Sequence, residues 1–201
     1  MVMKDKQQIS SGDDQNRAID EAIAESFPAS DPPAWTLRQA LSDSTSTLDY
    51  LEENVTVVWQ RDTADFVYET YNRHATVTFG GGESLSVSNP PAYYGDGSFA
   101  NPEQLLVASL SFCYMQTLLA LASKKGYRIK HYADRAMGTL KKNKEGKLAI
   151  TDIILNPTIQ FEGSPLDQSQ IESLKQSAHR HCFIANSINA NIEIIILPLN
   201  S

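Results

Sequence analysis

NPEQLLVASLSFCYMQTLLALASKKG, residues 101–126, is the stretch that decides the fold. Asn101 suits a helix cap, Pro102 the first helical position and Glu103 the first turn. Lys124 and Lys125 suit the last turn, and Gly126 the stop. From Leu105 to Ala122 the residues are apolar or small on almost every side. That pattern predicts a helix buried on most of its faces, inside sheets or against a second subunit. Leu106, Leu110, Leu118, Leu119 and Ala122 are the expected buried set. The stretch reads as too short, and too interrupted by Ser, Gln and Thr, for a membrane span.

Strand patterns flank it on both sides. Downstream, YRIKHYADRAMGTLKK (127–142) and KLAITDIILNPTIQF (147–161) are long strand candidates joined across the turn NKEG. Their length predicts twisted or bulged strands. DQSQIESLKQSAHRHC (167–182) predicts a second helix, with Asp167 at its start and Gln170 in the capping-box position. NIEIIILPL (191–199) predicts a buried closing strand. Upstream, VTVVWQR (55–61) and FVYETY (66–71) alternate as a strand pair would, with Asp62 to Asp65 as their turn. ATVTF (75–79), ended by three glycines, and LSVS (85–88) follow, and residues 89–102 are irregular by every local rule. The order is strands, buried helix, hairpin, helix, strand, an α+β arrangement in the main domain, 51–201.

Residues 1–50 read as an N-terminal extension. Ile19, Ile23 and Phe27 recur at a helical spacing, Pro28 ends that pattern, and Pro32-Pro33 lead to Trp35. These large groups favour partial order over a free acidic tail, and residues 41–50 read as a linker.

Composition narrows the function classes. The chain has 201 residues, with 17 Lys plus Arg against 24 Asp plus Glu, a formal charge of -7. Such a surface repels phosphate backbones and anionic lipid, so nucleic-acid and membrane partners are not expected. The first 20 residues hold no apolar signal core, and the expected location is the cytoplasm. Two cysteines, Cys113 and Cys182, are too few for a disulfide scaffold and too far apart for a CxxC centre.

Read alone, Cys113 in an apolar helix is a small core hydrophobe as readily as a nucleophile. Cys182 follows His179 and His181, an arrangement open to an activated thiolate or to part of a zinc site. The spacing of these three is poor for metal, and no metal or cofactor is expected. No Ser-His-Asp order, HExxH or phosphate loop occurs, and the glycines at 80–82 read as a turn.

Residues 101–126 together with AHRHCFIANS (178–187) resemble the OsmC/Ohr family of thiol-dependent hydroperoxide reductases, over about residues 52 to 199. The resemblance implies antiparallel sheets around long buried helices in an interlocked homodimer, with the sites at the subunit interface. It also implies a peroxidase of the stress response that reduces organic hydroperoxides to alcohols. Cys113 takes the place of the peroxidatic cysteine and Cys182 that of the resolving one. Glu103 matches the family's motif glutamate and Arg73 its site arginine, with Arg61 as the alternative. An external dithiol would reduce the resulting disulfide. Phe183 stands where many relatives carry proline. Glu103 and Cys113 are ten positions apart, about 15 Å and 80° around a straight helix. That separation favours a turn over residues 101–103, with the helix starting after Glu103 and an arginine spanning the gap. A Cys-His acyl-transfer enzyme and a non-catalytic binding or structural protein are the competing readings.

Overall fold

The structure is a computed structural model that describes residues 52–199. The expectations placed on Ile19, Ile23, Phe27 and Trp35 lie outside the described residues.

Helix α1 spans Pro102–Lys124. The Asn101 side chain accepts from the Gln104 N–H at 2.8 Å, and Gln104 Oε1 accepts from the Asn101 N–H at 3.0 Å. This capping box, with Pro102 at the first position, starts the helix before Glu103. The turn expected over 101–103 is therefore not formed: two cap bonds fix the helix where local chemistry places it. Gly126 ends it at φ +75°, and the Tyr127 N–H returns to the Ala122 carbonyl at 2.9 Å.

One face of α1 is the core. Leu110, Tyr114, Leu118 and Leu121 are wholly buried and Ala122 nearly so. Leu106 and Leu119 are only half-buried by their own chain, and Phe112 is 59% exposed. The helix has 23 residues and a mean hydropathy of 1.8 in its most apolar window, so by length and composition it could cross a membrane. This corrects the expectation that it is too short; its packed face against Ile153, Leu155, Ile159 and Leu174 makes it a core helix here.

The long hairpin forms, but each arm is two strands. The first arm divides into β4 (Arg128–Asp134) and β5 (Met137–Lys142), the second into β6 (Leu148–Leu155) and β7 (Pro157–Glu162). β4 pairs antiparallel with β7, and β5 with β6, in separate sheets. Asn156 and Pro157 supply the break: the Asn156 N–H donates to Asp134 Oδ1 at 2.7 Å, and Pro157 has no N–H to give. The closing segment divides likewise into β8 (Asn191–Ile194), parallel to β6, and β9 (Leu197–Leu199), parallel to β7. The two sheets are thus mixed, ordered β4-β7-β9 and β5-β6-β8. Helices α2 (Gln168–His181) and α3 (Phe183–Ser187) pack on α1.

A third sheet, β1-β2-β3, holds β1 (Val55–Trp59), β2 (Ala75–Phe79) and β3 (Ser84–Val87), all antiparallel. The expected pairing of 55–61 with 66–71 does not occur, because β1 pairs with β2 instead. Residues 66–71 form turns held by side chains. Trp59, Phe66 and Tyr71 cluster at ring separations of 5.0 to 6.1 Å, and Trp59 Nε1 donates to the Asn72 carbonyl. The Tyr68 and Tyr71 carbonyls accept from the Arg73 guanidinium and are lost to strand pairing.

Close packing between β5 and α1 yields one stability prediction. A Cβ on Gly138 would lie 2.5 Å from Val107 Cγ2. Gly138→Ala should therefore destabilise by about 1–3 kcal/mol, the usual cost of overpacking. Urea denaturation of the two proteins measures it; an unchanged midpoint would show that α1 and β5 give way freely.

Candidate active site

Cys113 lies midway along α1, and Cys182 at the joint between α2 and α3. The joint is a true break, since Cys182 has extended backbone (φ -77°, ψ 113°) and serves as end cap of one helix and start of the next. Cys182 is fully buried, Cys113 partly exposed, and both are free thiols. The Cys182 thiol donates to the Cys113 sulfur, the largest influence in bringing the Cys113 pKa down to about 6. Burial opposes this, and the backbone N–H groups of Ile184 and Phe183 at the start of α3 assist it. Cys182 is pushed the other way, first by the same bond and then by burial. One sulfur is thus poised as a thiolate in contact with solvent, and its neighbour holds a proton in the core. The Thr117 hydroxyl donates to the Cys113 carbonyl at 2.9 Å and secures the turn below.

The fold brings Cys113 and Cys182 together; within one chain it does not bring Arg73 and Glu103 to them. Arg73 is buried among aromatic rings, its guanidinium 3.7 Å from the Tyr71 ring centroid, 5.3 Å from Tyr94 and 5.5 Å from Tyr68. Its terminal nitrogens donate to the Tyr68 and Tyr71 carbonyls, while Nε has no partner. Glu103 Oε2 is likewise buried without a partner. Arg61 is exposed in the turn after β1.

His181 Nδ1 lies 2.8 Å from the Ser177 carbonyl within α2. Among the described residues, no group of three or more His, Cys, Asp or Glu is gathered as a metal site.

A cleft of about 640 Å³ opens along α1, lined by Glu103, Ser111, Phe112, Met115, Tyr132 and Asp134 among others. Ser111 and Met115 stand two positions on either side of Cys113, roughly 160° around the helix from it. The thiols and the cleft therefore occupy opposite sides of α1. Sequence reading missed the polar lining of this side. Its one signal was Tyr132 and Asp134, two apart on a strand and so on one face.

Residues 95–196 match the protein family described as OsmC-like protein. A solved OsmC-like protein of unknown function from Vibrio cholerae is 34% identical, with a TM-score of 0.71, covering 74% of this chain and 100% of its own. An organic hydroperoxide resistance protein from Elizabethkingia anophelis shares the fold at 19% identity and a TM-score of 0.57, covering 76% of this chain and 98% of its own. The protein YmaD of Bacillus subtilis, described as uncharacterized, is 26% identical over 126 residues, 61% of this chain and 83% of its own. Cys113, Cys182 and Glu103 fall inside the matched family region, and Arg73 precedes it.

Proposed function

The chain belongs to the OsmC-like protein family, and from that premise we propose that it is a thiol-dependent peroxidase that reduces organic hydroperoxides to alcohols. The observation that carries this reading is the contact between a solvent-reached Cys113 with a lowered pKa and a buried, protonated Cys182. The Cys113 thiolate attacks the outer oxygen of ROOH, the O–O bond breaks, and ROH leaves after protonation. Cys113 becomes a sulfenic acid. Cys182 displaces its hydroxyl as water to give a disulfide, and an external dithiol reduces that bond and resets the enzyme.

Arg73 would stabilise the thiolate and the leaving oxygen, with Glu103 orienting its fork. Both residues carry a buried atom without a partner, so we place them in one site built from two copies of the chain. Val55, Val57 and Val58 of β1 are 57 to 63% exposed, and Phe112 projects from α1; a homodimer would cover such surface. The location consistent with a reducing dithiol is the cytoplasm. The acyl-transfer reading needs an imidazole at Cys113, and His181 Nδ1 is directed to its own helix instead.

Turnover with a dithiol and cumene or tert-butyl hydroperoxide, beside hydrogen peroxide, tests the proposal. Organic substrates should be consumed faster than hydrogen peroxide. Two sulfurs no more reactive than free cysteine would instead leave a non-catalytic protein on the same scaffold.

A further inference from the structure

Among the described residues, Tyr94 is the one residue other than glycine with a left-handed backbone, at φ +60°. Glycine adopts that conformation freely, whereas a bulky residue holds it at a cost that its surroundings must impose. Those surroundings are the loop over 88–100, which is closed tightly on itself. The Ser88 N–H donates to the Ala100 carbonyl at 3.0 Å, and the Gly95 N–H to the Pro90 carbonyl at 3.2 Å. The buried Ser88 hydroxyl accepts from the Asp96 N–H at 3.1 Å. A Cβ on Gly95 would run into the Asn89 backbone, so only glycine fits beside Tyr94.

The strained position places one ring. The Tyr94 ring centroid lies 5.3 Å from the Arg73 guanidinium, and Tyr94 meets Tyr68 edge-on with ring centroids 5.5 Å apart. Tyr68 and Tyr71 belong to the turns just before Arg73, and each gives it a ring and a carbonyl. Of the three rings, Tyr94 alone comes from a distant segment, and it closes the cage. The same loop ties down the next residue: His74 packs edge-on against Phe99 at 4.6 Å, and its Nε2 lies 3.6 Å from Asp96 Oδ2.

We propose that Tyr94 is a positioning residue for peroxide reduction, acting through Arg73: its ring closes the cage and fixes the direction in which Arg73 offers its free Nε–H. This inference rests on the reading of Arg73 as the site arginine. A carboxylate holding Arg73 from within its own chain would take up N–H donors and offset the charge. Aromatic faces hold a cation through the ring quadrupole and use no donor. The two carbonyls anchor the terminal nitrogens without neutralising them, and Nε stays unpaired. Arg73 is thereby kept buried, charged and aimed, as a stabiliser of the thiolate and the leaving oxygen must be. Arg73 is buried while Tyr94 beside it is half-exposed, so losing the ring opens the guanidinium to water and to other rotamers.

Reduction of cumene hydroperoxide by the full-length chain with a dithiol, in a double-mutant cycle with Arg73→Ala, tests this. Tyr94→Leu should lower kcat/KM by about fivefold or more, the scale of losing one partly desolvated cation–π contact. Tyr94→Phe, which keeps the ring face and loses the hydroxyl, should restore most of the rate. In an Arg73→Ala background, Tyr94→Leu should slow the enzyme no further, because the ring acts only through the arginine. If Tyr94→Leu fails to fold, Tyr94→Gly, which suits the left-handed backbone, takes its place in the cycle. Unchanged kcat/KM without the ring overturns the proposal. So does an equal further slowing in the Arg73→Ala background, the mark of a damaged loop. Tyr94→Phe as slow as Tyr94→Leu would give the role to the hydroxyl and overturn it too. Wild-type activity in Arg73→Ala alone would instead remove the reading of the arginine, and the role of Tyr94 with it.

Discussion

Cys113→Ser is expected to remove hydroperoxide reduction altogether, while Cys182→Ser keeps the first chemical step and loses turnover. The asymmetry follows from the two environments. Cys113 meets solvent, and the Cys182 thiol beside it brings its pKa down to about 6, which favours the thiolate near neutral pH. Cys182 is sealed in the core with its proton retained. One equivalent of organic peroxide should consume both wild-type thiols and give an intramolecular disulfide that a dithiol reverses. In Cys182→Ser the sulfenic acid has no thiol to meet, so it accumulates at Cys113 and then overoxidises. A comparison of Cys182→Ser with Cys182→Ala separates the chemistry of resolution from the tuning of Cys113. Serine keeps a donor beside the Cys113 sulfur, whereas alanine removes the largest influence lowering its pKa. Alkylation of Cys113 should therefore rise with pH around a midpoint near 6 in the wild type, and around a higher midpoint in Cys182→Ala. Mass spectrometry that found Cys182 oxidised first, with Cys113 still a thiol, would reverse the assigned roles.

The two long helices were legible in the sequence because their ends are decided locally, and the start of α1 follows its cap and not the separation of Glu103 from Cys113. Asn101 with Gln104, and Asp167 with Gln170, each close a capping box within four residues. Strand partners are decided by distant chain. Residues 66–71 alternate as well as a strand does, yet Arg73 takes two of their carbonyls and Trp59 bonds beyond them to Asn72. The division of each hairpin arm between two sheets had one local sign, the Asn156-Pro157 step, which interrupts a ladder wherever it falls. The two cysteines were singled out in the sequence by family resemblance, but the contact between their sulfurs is a tertiary fact.

Arg73→Ala should slow peroxide reduction by roughly a hundredfold to a thousandfold, the scale of losing one donor that stabilises charge in the transition state. Its route to Cys113 is the larger question. Within one chain Arg73 lies in a cage of Tyr68, Tyr71 and Tyr94 with Nε unpaired, and Glu103 Oε2 is equally unpaired. A buried cation and a buried carboxylate oxygen are costly when left apart, and each offers what the other lacks. A second copy would bring them together and also cover the exposed valines of β1. The arrangement makes a prediction that single variants cannot. Alone, Arg73→Ala should keep about a hundredth or less of wild-type activity and Cys113→Ser none, one lacking the arginine and the other the nucleophile. In a mixed dimer, the intact Cys113 of the first meets the intact Arg73 of the second. Co-expression in equal amounts should make about half the dimers mixed, each with one competent site, and restore about a quarter of wild-type activity. An arginine acting within its own chain would restore nothing, even where subunit exchange is verified by mass. Full activity in Arg73→Ala would pass the role to Arg61, and the same mixing experiment would then be run with Arg61→Ala.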